Sequence, residues 1–252
     1  MTVESIVKRD GAVVEIVIDR PRVHNALDAA TLDALQAAFD GAQRSGARVI
    51  VLKGMGRSFS SGADRRAYPG YSGESRGQGA TQADITIGNR VCRAIAQCNA
   101  ITIARLQGHV LGGGLALALA CDIRLAANDA VMGLPEVELS VPLGWGALYR
   151  LAAIVGRTQA MELLLTPKRL SGAEAAGTGL ANAAVESEQL DACIDERVSY
   201  LTGLDPNALL LTKLQFRALA AASTIGDIEA FDGQLLLSAL RSGAYDRFAA
   251  NR

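Results

Sequence analysis

The stretch "GHVLGGGLALALACD" (residues 108–122) sets three consecutive glycines, Gly112 to Gly114, directly before a run rich in Leu and Ala. A glycine inside a helix weakens it by about 0.5–1 kcal/mol relative to alanine, so three at a helix start call for a reason. Two reasons stand. The glycines permit a tight turn with close helix–strand packing, or they let bare backbone approach a ligand. A helix N-terminus presents unpaired N–H groups and about half a positive charge. That suits a phosphate, or an oxygen that becomes negative during reaction. Nucleotide chemistry is the poorer fit, since the spacing is not G-x-G-x-x-G with a following acidic residue and no G-K-[S/T] occurs. A second glycine segment, "GRSFSSGADRR" (56–66), follows a short apolar run and places Ser61, Gly62, Ala63 and Asp64 at a strand exit. One backbone N–H from each segment, converging on a single oxygen, would hold a developing anion without any side chain.

Composition narrows the partners. The chain has 252 residues, half of them apolar, with a net charge of −1. It is long enough for one large domain, and its charge balance gives no reason to expect nucleic acid or an anionic membrane. The longest apolar run (115–121) is far short of the roughly 20 residues a membrane span needs. No targeting signal is read in "MTVESIVKRDGAVVEIVIDR", where charges precede any apolar run of useful length. Cys92, Cys98, Cys121 and Cys193 form no C-x-x-C pair, and the only histidines are His24 and His109. Disulfide scaffold and zinc site both fit poorly; reduced core cysteines in a cytoplasmic protein, with no metal, are expected.

The elements that must position the glycine segments follow from periodicity. "VVEIVIDR" (13–20) and "ARVIVLKG" (47–54) read as strands, the second covered on both faces. Between them, Leu32, Leu35 and Phe39 at helical spacing predict a helix with Asp28 as N-cap and Gly41 near its end. Residues 65–84, with four glycines and a proline, read as a mobile loop before a helix over 85–97. "AITIARLQG" (100–108) and "CDIRLAAN" (121–128) are further strands on either side of the glycine triplet. Residues 156–185 read as helix, turn, helix and short strand, and helices dominate from about residue 205. Strand–helix alternation of this kind predicts an α/β core with parallel pairing and a helical C-terminal part.

With these pieces in order, the chain resembles the enoyl-CoA hydratase/isomerase family of the crotonase superfamily. The resemblance rests on "DRPRVHNAL" (19–27), "RSFSSGAD" (57–64), residues 108–142, residues 156–180 and the terminal "FAANR". It implies a spiral of ββα turns over 1–200 that binds acyl-CoA thioesters, and a helical region over 201–252 that packs homotrimers or hexamers. It also implies that no separate cofactor is needed, coenzyme A being part of the substrate. By motif position, the two N–H groups on the thioester oxygen fall on Ala63 and Gly113. The "RPRVHNAL" turn implies Arg22, His24 and Ala26 as coenzyme A contacts. Ser61, Asp64, Arg65 and Gly112 are further candidate substrate contacts.

The family's hydratases carry two glutamates, and this chain has only the second, Glu136 in "LPEVEL"; Ala116 stands at the first. Hydration uses two carboxylates naturally, whereas shifting a double bond needs one base that takes a proton from one carbon and returns it to another. A lone Glu136 beside an apolar helix face is expected to have a raised pKa, so isomerisation is expected ahead of hydration. Two alternatives remain: an acyl-CoA-binding relative with little turnover, and an enzyme like the dihydroxynaphthoyl-CoA synthases, which share the "GWGA" element at 144–147. Asp64 ranks second as a carboxylate. Arg65 and Arg66 stand where the family tends to have apolar residues, Ser140 where it usually has glycine, and Trp145 and Tyr149 are candidates to shape the acyl pocket. Structural roles are expected for Arg105 and His109.

Overall fold

The computed structural model describes residues 4–9, 11–66, 82–166 and 168–221, together with 234, 235 and 238. It opens on a hairpin: β1 (Glu4–Arg9) and β2 (Val13–Ile18) pair antiparallel across a turn in which Gly11 takes a φ of 69°. Periodicity missed β1, because Ile6 and Val7 sit among charges without alternation. β2 is buried along its whole length and pairs parallel with β3 (Val49–Gly54), which pairs parallel with β4 (Ile101–Leu106). Such near-continuous apolar strands belong inside a parallel sheet covered on both faces.

Between β2 and β3 runs α1 (Ala29–Arg44), which buries Leu32, Leu35, Phe39 and Ala42. Asp28 caps it as expected: its Oδ1 accepts the Thr31 N–H at 2.8 Å and the Thr31 hydroxyl at 2.6 Å. A cap of this type contributes about 1 kcal/mol. The helix passes through Gly41 and stops at Ser45, where the following Gly46 is the first residue with positive φ, 74°. Most of the glycine-rich segment expected as a mobile loop (67–81) lies outside the described residues. α2 (Gln82–Gln97) begins somewhat before Ile85 and lays Ile87, Val91, Cys92 and Ile95 into the core.

After β4 the chain winds twice through the same sequence of elements. β5 (His109–Leu111) leads into α3 (Gly113–Ala120); then β6 (Ile123–Ala127) and β7 (Val131–Gly133) lead through a 3-10 turn (Val137–Leu139) to α4 (Ala147–Leu165). β8 (Leu170–Ser171), α5 (Gly172–Gly177), β9 (Ala183–Val185), α6 (Leu190–Gly203) and α7 (Pro206–Ala221) complete the described fold. The large sheet runs β1-β2-β3-β4-β6-β9 and the small one β5-β7-β8. Each turn gives a long strand to the first and a short one to the second, with β4 parallel to β6 and β5 parallel to β7. This is the ββα spiral that the sequence implied. α3 is apolar on every side because Gly114 to Ala120 are buried on every side. The helical C-terminal part begins with α6, so residue 200 falls inside a helix. α7 is fixed to the sheet by Lys213, whose Nζ donates to the Ala100 carbonyl (2.6 Å) and to Asp122 Oδ2 (2.7 Å).

The turn after β2 does most to place the functional segments. His24 and Asn25 both adopt left-handed backbone, φ 52° and 56°. Asparagine tolerates that region better than most residues. The Asn25 side chain is fully buried: Oδ1 accepts the Arg20 N–H (2.8 Å), and Nδ2 donates to the carbonyls of Met55 (2.9 Å) and Ser58 (2.6 Å). Its own carbonyl accepts the Ser60 hydroxyl at 2.8 Å. Asn25→Ala removes the partner of three backbone groups, one of them fully buried, and is expected to lower stability by about 2–4 kcal/mol. Urea denaturation checks this as a fall in midpoint with an unchanged slope. An unmoved midpoint would mean water replaces those bonds without loss.

Candidate active site

Residues 60–64 are hydrogen-bonded along both edges. On one side the Ser60 N–H donates to the His109 carbonyl (2.9 Å) and the Leu111 N–H to the Ser60 carbonyl (3.0 Å). On the other, the Ser61 N–H donates to His24 (2.9 Å), Leu27 to Gly62 (2.8 Å) and Asp64 to Leu27 (2.9 Å). The Leu27–Ala63 bridge is parallel, so both bonds to Leu27 come from the neighbours of Ala63, and the Ala63 N–H takes no part. Among the described residues no hydrogen bond uses the N–H of Ala63 or of Gly113, the first residue of α3. The two segments nearly touch. A Cβ placed on Gly62, whose φ is 92°, would lie 2.8 Å from the Leu111 oxygen and 3.3 Å from the Gly113 nitrogen.

The glycine triplet has a separate cause at each position. Gly112 takes a φ of 50°, and a Cβ there would lie 2.9 Å from Glu136 Oε1. At Gly113 it would lie 2.5 Å from the Trp145 ring, and at Gly114 2.7 Å from the Ser60 carbonyl oxygen. Close packing accounts for all three glycines, and the same packing sets bare backbone beside a carboxylate.

That carboxylate is unusual. Glu136 follows β7 and opens the 3-10 turn; the residue retains some exposure, yet its Oε2 is buried and accepts no hydrogen bond. Burial pushes it from its ordinary 4.5 to about 7, against the opposing pull of its own backbone N–H and the Arg169 charge. Arg169 Nη2 donates to Glu138 Oε2 at 2.7 Å. Ala116, one turn into α3, is buried and brings no ionisable group.

Asp64 is occupied otherwise. Arg20 Nη2 lies 3.2 Å from Asp64 and 3.0 Å from Asp28, while Arg20 Nη1 donates to the Ala26 carbonyl. Burial disfavours the charge on Asp28, but the Thr31 hydrogen bonds and the Arg20 guanidinium outweigh it and hold that carboxyl below its ordinary value. The structure thus gathers Ala63, Gly112, Gly113, Glu136 and Trp145 at one place. Arg22, His24, Ala26, Ser61, Asp64 and Arg65 line the 22–27 and 61–65 seam instead. Arg22 and Arg65 are exposed and Ala26 is buried. Ser61 Oγ donates to the Val23 carbonyl at 3.4 Å. His24 Nδ1 lies 3.0 Å from Ser58 Oγ, and its ring meets His109 edge-on at 5.1 Å. Arg105 Nε donates to Asp191 Oδ1 at 2.6 Å. Among the described residues no group of three His, Cys, Asp or Glu could hold a metal, and no helix is long and apolar enough to cross a membrane.

Sequence reasoning passed over Asn25, Arg20 and Gly88. Asn25 lay inside a quoted motif, but the carbonyls it donates to, on Met55 and Ser58, are distant in sequence. Gly88 sits mid-helix in α2, where a Cβ would lie 2.1 Å from the Trp145 ring, and a glycine inside a helical pattern is the signal that marks such an approach.

A ββα spiral carrying two free N–H groups beside a desolvated glutamate has the architecture of a crotonase. A family model described as enoyl-CoA hydratase/isomerase matches residues 8–238, and the chain belongs to that family. It is 33% identical over 250 residues to the peroxisomal Delta(3,5)-Delta(2,4)-dienoyl-CoA isomerase of Arabidopsis thaliana, covering 94% of this chain and 90% of that one. It is 32% identical over 211 residues to the short-chain-enoyl-CoA hydratase of Clostridium acetobutylicum, covering 82% and 78%. Among solved structures, an enoyl-CoA hydratase from Mycobacterium avium subsp. paratuberculosis K-10 superposes with a TM-score of 0.86 at 28% identity, covering 96% of each chain. These relatives make the protein an enzyme of the hydratase/isomerase type.

The raised Glu136 pKa has a consequence for stability. The native state holds this proton up to about pH 7, whereas the unfolded chain releases it near 4.5. The wild type therefore loses stability as pH rises between those values, by about 3 kcal/mol at most. Glu136→Gln lacks that loss, so its urea midpoint relative to wild type is expected to climb from pH 4.5 to 7 and then level off. Parallel profiles would place Glu136 in water.

Proposed function

We propose that the protein isomerises an enoyl-CoA, moving the double bond from between C3 and C4 to between C2 and C3. The observation that carries this reading is a single desolvated carboxylate, Glu136, with an alanine at the position of a second. The Ala63 and Gly113 N–H groups hold the thioester oxygen. Loss of a proton from C2 puts negative charge there, and donors fixed in advance stabilise the enolate more than the starting carbonyl. Glu136 takes the proton from C2 and returns it at C4. A group titrating at about 7 is suited to both steps. The 22–27 turn, with Arg22, His24 and Ala26, and the neighbouring Ser61, Asp64 and Arg65, serves the coenzyme A portion.

Incubation with a 3-enoyl-CoA and separately with crotonyl-CoA, following thioester absorbance, tests the reading. Turnover of the first alone is expected. Turnover of crotonyl-CoA alone would make the enzyme a hydratase, the activity that several relatives' names carry, and binding without turnover would make it a carrier. Glu136→Gln is expected to lower kcat about 10²–10⁴-fold. The wild-type kcat/KM is expected to rise with pH through about 7, since only the ionised carboxylate accepts the proton. An activity flat across neutral pH would remove Glu136 from the chemistry.

The same reading includes self-association as a trimer or a pair of trimers. It is supported by large apolar side chains left exposed on α6 and α7, among them Tyr200 (66%), Leu211 (61%), Phe216 (69%) and Leu219 (69%). Light scattering at micromolar concentration should give three or six times the chain mass; a monomer would leave that face without a partner of its own kind. The four cysteines form no disulfide, which supports a reducing compartment such as the cytoplasm.

A further inference from the structure

We infer that Trp145 forms the end wall of the acyl-binding cavity and restricts the enzyme to short acyl groups. The inference rests on the reading that the Gly113 N–H holds the thioester oxygen, and adds the size of the acyl group.

The Trp145 ring occupies a slot between two glycines on different helices. A Cβ on Gly113 would lie 2.5 Å from its Cη2 and Cζ3, and one on Gly88 would lie 2.1–2.3 Å from its Cε2, Cδ2 and Nε1. The six-membered ring therefore abuts the first residue of α3, and the indole fusion bond abuts α2. Glycine is unfavourable inside a helix, and Gly88 lies in the interior of α2. Its absence of a side chain is what admits the ring. At 6% exposure the indole fills its slot, and water does not.

The ring is also held from behind. Trp145 and Gly146 both have left-handed backbone, φ 61° and 63°, and Arg150 Nη1 donates to both of their carbonyls, at 3.1 and 2.9 Å. Arg150 is itself 7% exposed, so the clamp lies inside the protein. The clamp fixes the backbone that carries the indole, and the ring itself is flanked by Gly88 of α2 and Gly113 of α3. A thioester whose oxygen accepts the Gly113 N–H has its first acyl carbons within van der Waals reach of a wall that cannot retreat. A longer tail running in that direction meets the indole.

Because Trp145 is the only tryptophan in the chain, its emission reports this wall without a label. The full-length protein should be titrated with butyryl-CoA and with decanoyl-CoA, neither of which can react, by calorimetry and by tryptophan emission. Butyryl-CoA is expected to bind and shift the emission, and decanoyl-CoA to bind about tenfold more weakly or worse. Trp145→Ala is expected to strengthen decanoyl-CoA binding about tenfold while changing butyryl-CoA little. Trp145→Phe, which keeps an aromatic packing unit should the alanine variant fail to fold, is expected to fall between. Equal affinities in the wild type, emission that ignores a ligand seen to bind by calorimetry, or an unchanged preference in a cooperatively folding variant would each overturn the inference. If neither thioester binds, the thioester reading fails and the wall fails with it, a result distinct from binding without length preference.

Discussion

The hydrogen bonding of residues 60–64 along two edges is the constraint on which the site depends. One edge joins β5 and the other joins the turn at 24–27, so the segment behaves as a short strand shared between two parts of the fold. Parallel bridging fixes which N–H groups are consumed. The bonds around Leu27 take Asp64 and leave Ala63; those around Ser60 take Leu111, and Gly112 donates to Gly133 at 2.9 Å, leaving Gly113. A slip by one residue would exchange consumed for unconsumed donors. Asn25 and the Ser60 hydroxyl prevent the slip by tying the turn to the segment through buried groups.

On this frame the carboxylate is kept away from what would normally neutralise it. Glu136 has a cation nearby in Arg169, but that guanidinium is occupied at 2.7 Å by Glu138. A direct pair would favour the charged form and make a weaker base. Asp64 has a guanidinium of its own, since Arg20 Nη2 lies 3.2 Å away and ties it to the turn. The two carboxylates thus differ in the commitments of the arginines beside them.

Much of this was legible in the sequence. The parallel strands were readable because both faces are covered, and α1 because its apolar period and its Asp28 cap agree. Gly112 to Gly114 stood out as a run, and the motif order placed Ala63, Gly113 and Glu136. The remainder depends on contacts between residues far apart in the chain. Asn25 has an ordinary side chain whose partners lie about thirty residues on. β1 lacks alternation because it is a sheet edge. The meaning of Trp145 required Gly88, which no local pattern joins to it.

The packing of the triplet also limits how such a sequence can vary. Gly112, Gly113 and Gly114 face Glu136, Trp145 and Ser60 respectively. A side chain at any of them demands a concession from a different neighbour, and the three concessions have nothing in common. Single substitutions here are therefore steep, while paired ones, such as a larger residue at 113 with a smaller one at 145, open a route that neither change opens alone. The neighbourhood is a set of epistatic couples. Change around the triplet would have to proceed by coordinated pairs, and of the three only the pair at Gly112 involves the carboxylate.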